Sequence, residues 1–124
     1  MTLSPLAAAA AVSLLAATPL AAQPATQVIT VWSFGFAPKP IHLAAGRPVT
    51  LVFVNRSGSS HDFSAPAFFG NAAIVAGAAP GGEIDLRSHE TRRVTLIPRP
   101  GIYPARCTHF LHSAFGMTDR IIVN

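Results

Sequence analysis

Val49–Asn55 reads VTLVFVN, a run that is nearly all apolar. That is the pattern of a strand covered on both faces. After it, Arg56–Ser60 (RSGSS) is a loop by composition, and His61-Asp62-Phe63-Ser64 follows. Before it, Gly46 ends a short run at Ile41–Leu43, and Pro38 and Pro40 bracket a bend. Val28–Phe34 (VITVWSF) is rich in β-branched and aromatic residues, which suit a pleated, half-buried surface. Further on, Glu83–Leu86 and Thr91–Ile97 (TRRVTLI) read as strands. Arg99-Pro100-Gly101 turns the chain into Ile102–Cys107, and Arg120–Val123 closes it. Between these, Ala65–Gly82 predicts a short helical turn inside a long crossover. Seven or so short strands joined by Pro/Gly turns indicate an all-β sandwich.

Composition agrees. The chain has 124 residues, 50% of them hydrophobic and 11% charged, which excludes a disordered chain and argues for one folded domain. Eleven Pro and nine Gly favour turns over long helices. A single Cys excludes an internal disulfide, a four-Cys zinc site and a Cys-ligated iron–sulfur cluster.

The first 22 residues stand apart. They carry no charged side chain and are dominated by Ala and Leu. The apolar stretch from Leu6 to Ala17 is too short to span a bilayer but suits a secretory signal peptide. Pro19 breaks any helix, and Leu20-Ala21-Ala22 offers a cleavage site after Ala22. The expectation is a signal peptide over 1–22, a folded domain over 23–124, a periplasmic location and no stable membrane insertion. In that compartment an unpaired thiol is either hidden or used.

Cys107, His109, His112 and Met117 lie together in CTHFLHSAFGM. Thiolate, imidazole and thioether are ligands that select copper over calcium or magnesium. With period two, Tyr103, Ala105 and Cys107 share one face of their strand, and their small and aromatic side chains suggest that it looks inward. An electron-transfer copper centre takes two His and one Cys in a plane with a weak axial thioether, so a second His is needed. His61, after the Ser/Gly loop, is the natural candidate. His42 and His89 have no partners at useful spacing and read as surface residues.

These residues resemble the cupredoxin superfamily of small blue copper proteins, in the plastocyanin/azurin group. The resemblance runs from FAPKPIHLAAG through NRSGSSHDF to PGIYPARCTHFLHSAFGM and the final IIV, with Ala65–Gly82 unmatched. It implies a Greek-key β-sandwich of about seven or eight strands and one copper ion cycling between Cu(I) and Cu(II). The implied metal ligands are His61, Cys107, His112 and Met117. Cys-x₄-His-x₄-Met is similar to the spacing of the rusticyanin and auracyanin members. The chain departs from the family at three places: Asp62 stands where Asn is common after the first His, Asp119 where Gly is usual, and Ala105 where an aromatic often precedes the Cys. His109 adds a competing imidazole, read here as a solvated or outer residue.

The expected function is a one-electron carrier, with a copper-handling protein (chaperone, tolerance or oxidase-delivery factor) as the alternative. A redox partner protein would dock on apolar residues around His112, with Phe110, Leu111, Ala114 and Phe115 contributing and Phe68 and Phe69 either extending the patch or buried. The net charge of +4 would steer an acidic partner or an anionic membrane surface. No nucleic-acid motif is present, and the chain is expected to be a monomer. An enzyme is not expected, since copper oxidases need further metal sites.

Overall fold

The computed structural model describes residues 1–17, 23–109 and 116–124. The expected cleavage site and His112 both fall outside these ranges. Residues 1–17 contain no helix or strand and are exposed. Among the described residues, no helix is long and apolar enough to cross a membrane.

From residue 25 onward the chain forms two five-stranded sheets. The strands are β1 (Ala25–Trp32), β2 (Gly35–Ala37), β3 (Ile41–Leu43), β4 (Val49–Asn55), β5 (His61–Ser64), β6 (Ala73–Ala76), β7 (Glu83–Leu86), β8 (Thr91–Ile97), β9 (Gly101–Arg106) and β10 (Thr118–Val123). A short helix, α1 (Pro66–Asn71), and a 3₁₀ turn at Pro80–Gly82 occupy the crossover. One sheet has the order β2-β1-β4-β8-β6, the other β3-β10-β9-β5-β7. From β2 to β9 the chain repeatedly changes sheet, which makes the two layers one sandwich.

Ten described strands replace the expected seven or eight. The additions are short: β2, β5 and β6 have three or four residues each. Val28–Phe34 was expected as one run, but the chain turns at residues 33–34 and returns as β2, with Trp32 paired to Gly35. VTLVFVN is covered on both faces as expected, and lies between β1 in parallel and β8 antiparallel. The helical turn expected in the crossover is α1. It buries Phe68 and Phe69, which therefore belong to the core and not to a surface patch.

The two layers meet on a cluster of rings. Phe63, fully buried on β5, packs against Phe36 at 5.1 Å, Phe53 at 5.0 Å and Phe69 at 6.4 Å between centroids. Phe68 continues the cluster to Tyr103 at 5.6 Å. Tyr103 donates its hydroxyl to the carbonyls of Arg99 and Pro100, pinning the turn that starts β9. Gly101 permits this contact. Its φ is +152°, and a Cβ there would lie 2.9 Å from the tyrosine ring.

Phe63 links both sheets and immediately follows the His61–Asp62 pair, so core packing fixes where β5 sits. Phe63→Ala is expected to lower folding stability by about 3–5 kcal/mol, the usual cost of deleting a buried ring. Chemical denaturation of the metal-free protein checks this, read as a drop in midpoint at unchanged slope.

Candidate metal centre

Three adjacent strand ends of the second sheet carry the expected donors. His61 opens β5, Cys107 directly follows β9, and Met117 directly precedes β10. β5 and β9 are antiparallel and meet at Ser64–Arg106. Continued past that pair, the same register brings Asp62 beside Thr108 and His61 beside His109. β9 and β10 pair antiparallel along their length, and the Cys107 N–H donates to the Met117 carbonyl at 3.1 Å.

All three donor residues are buried: His61 is 2% exposed, Cys107 and Met117 0%. The Cys107 Sγ lies 3.9 Å from His61 Nδ1. Two such donors on one first-row ion, at about 2.0–2.3 Å in a trigonal plane, would lie about 3.8 Å apart. The spacing fits a single shared ion. His112, the remaining expected ligand, lies outside the described residues, as do Phe110, Leu111, Ala114 and Phe115.

The loop before His61 is built on Asn55. The Asn55 amide donates to the carbonyls of Ser59 and Arg87, both at 2.9 Å, and its Oδ1 accepts from the N–H and hydroxyl of Ser57. This is the Asn/Ser turn chemistry of local side-chain-to-backbone bonds. It delivers Ser59 Oγ to 3.2 Å from His61 Nε2. A ring held at Nε2 offers Nδ1 to the thiol side, the arrangement in which a ligand's second nitrogen is fixed by an outer partner.

Asp62, a departure from the family pattern, ties together the segments that carry His61 and Cys107. Its carboxylate accepts from both the backbone N–H and the hydroxyl of Thr108, the residue after Cys107. Burial acts to raise the Asp62 carboxyl, but hydrogen bonds from Glu83 and Thr108 outweigh it and hold it below its usual value. Glu83 carries the balancing shift. Its hydrogen bond to Asp62, then burial and the charges of Asp62 and Asp85, push it up to about 7.

Burial also pushes the Cys107 thiol up; the backbone N–H groups of Asp62 and His109 pull the other way, and the Asp62 carboxylate adds to the rise. A thiol in such a place ionises when a cation takes its proton's position. At Asp119, the second departure, Oδ1 accepts from the Arg120 N–H, while Oδ2 is buried without a partner among the described residues. Burial raises that carboxyl too.

His109 is closer to the site than a solvated residue would be. One of its ring nitrogens, the Cys107 Sγ and an Asp62 carboxylate oxygen lie within 4.8 Å of one another. His42 and His89 are exposed, as expected. The sequence reading missed Asn55, Ser59 and Glu83 as supports of the site. Of these, only the Asn-x-Ser-x-Ser turn signature was there to be read.

The sequence matches the cupredoxin-like domain family over residues 5–117, and the chain belongs to that family. A comparison with curated proteins finds no match. Among solved structures, the chain is similar to a multicopper oxidase from Campylobacter jejuni, a metallo-oxidase, with 14% identity and a TM-score of 0.64 over 88% of this chain. It spans only 32% of that oxidase. It is also similar to auracyanin from the photosynthetic bacterium Roseiflexus castenholzii, at 20% identity and a TM-score of 0.60, covering 83% of this chain and 99% of the auracyanin. Auracyanin A, a "blue" copper protein from Chloroflexus aurantiacus, gives 22% identity and a TM-score of 0.60 over 82% of this chain and all of that one. At these identities the likeness establishes the fold.

The Glu83 shift sets a pH dependence of stability. A carboxyl raised from 4.5 to about 7 favours the protonated native state. Its contribution is fully present below pH 4.5 and is lost as pH rises through about 7. Glu83→Gln, whose amide donates to Asp62 at every pH, should flatten that decline. Thermal midpoints of the metal-free proteins between pH 5 and 8 check this, the wild type falling more steeply than the variant.

Proposed function

We propose that this chain is an exported one-electron carrier built around a single copper ion held by His61, Cys107, His112 and Met117. The observation that carries the reading is the buried pair of Cys107 Sγ and His61 Nδ1 at 3.9 Å, on adjacent ends of one sheet. A soft thiolate, imidazoles and a thioether form the donor set that suits copper in both oxidation states. Copper supplies the electron chemistry; the protein's part is to hold donors still. Ladder pairing, the Asp62–Thr108 tie and the Cys107–Met117 backbone bond do this on rigid strands, which favours a small reorganisation on electron transfer.

The uncharged segment 1–22 supports export to the periplasm. For a redox partner docking near His112, support comes from the surface beside the His61 loop. The Arg56 N–H donates to the Val31 carbonyl, which places the β1–β2 hairpin beside the His61 loop. There Trp32 and Phe34 stand 45% and 63% exposed, edge to face at 5.9 Å. Two of the five acidic residues, Asp62 and Asp119, are buried, so the surface is more basic than the net charge implies. That favours an acidic partner.

Copper-loaded, oxidised protein should show the strong visible thiolate-to-copper absorption, and Cys107→Ser should abolish it in a protein that still folds. A wild-type protein that binds copper(II) without colour would contradict the electron-carrier reading.

A further inference from the structure

We propose that His109 is an auxiliary metal donor on the solvent side of the centre, serving copper uptake and release and not the resting ligand set. The inference rests on the copper reading above and extends it to how the ion reaches a buried site. His61, Cys107 and Asp62 are each 2% exposed or less, whereas His109 is only partly buried. Of the described donor residues around the thiol, it is the most exposed.

Its geometry connects inside to outside. The His109 ring lies 6.3 Å from the His61 ring, centroid to centroid, with a 34° tilt. One of its nitrogens is within 4.8 Å of the Cys107 Sγ. On the outer side, Ser60, His61, Asp85, Leu86, Arg87 and His109 line a depression of about 170 Å³. At about 30 Å³ per water, that admits an ion with several of its waters. Asp85 at the rim attracts a cation, and Arg87 opposes it. Asp62 is poorly placed to be the entry donor, because its carboxylate is committed to Thr108 and Glu83. Imidazole binds copper in either oxidation state without the desolvation of a second buried charge.

Because the resting set already supplies three in-plane donors and a thioether, a further imidazole has its use during exchange. His109→Asn and His109→Gln should therefore slow loading of the full metal-free protein with copper(II) sulfate by about tenfold, the low end of the effect of outer partners on metal sites. Loss of copper to excess chelator should slow by a similar factor. Final absorption and electron paramagnetic resonance spectra should match the wild type. Unchanged rates in both variants would overturn the proposal, as would an altered final spectrum, which would make His109 a resting ligand. A wild type that develops no thiolate band would instead bring down the copper reading itself, which is a separate outcome.

Discussion

The site depends on one junction: the Asp62 carboxylate accepting two hydrogen bonds from Thr108. β5 and β9 share a single described ladder pair, Ser64–Arg106. Beyond that pair, the bonds from Thr108 to Asp62 join the His61 end of β5 to the segment that follows β9. The carboxylate closes the gap with charge-assisted bonds, which are roughly twice as strong as neutral ones. Asp62 is almost fully buried, so its charge is tolerated only because Thr108 and Glu83 satisfy it. The pair formed with Glu83 shares out the protons: one carboxyl is held ionised and its neighbour is pushed towards neutrality.

Around this junction the fold works as a clamp. Phe63 anchors β5 in the ring cluster one residue beyond Asp62, and Tyr103 anchors the start of β9 through its hydroxyl. Asn55 folds the Ser-rich loop so that Ser59 reaches the outer nitrogen of His61. His61, Cys107 and Met117, the described donors, are therefore each restrained by the protein's own bonds. A site preformed in this way spends little binding free energy on ordering the chain. Low reorganisation and a buried thiol are the properties an electron carrier requires.

Much of this was legible in the sequence. VTLVFVN announced a strand covered on both faces, and β4 is central in its sheet. Period two placed Cys107 on the inward face with Tyr103 and Ala105, all three buried. What was not legible had physical reasons. β5, HDFS, has three polar residues in only four positions, yet all four are buried. β6, AIVA, is exposed at every position on a sheet edge, so no inward-facing pattern marks it. Thr108 lies 46 residues from Asp62, and no local rule connects them. Asp62 was readable only as a departure from the family pattern; that its carboxylate accepts from Thr108 and ties the two segments together was not.

The central claim is that the Cys107 sulfur and the His61 nitrogen share one ion. X-ray absorption at the copper edge of the loaded protein tests it most directly. One short copper–sulfur distance together with imidazole nitrogens in the same shell is expected. A shell of nitrogen and oxygen alone would contradict it.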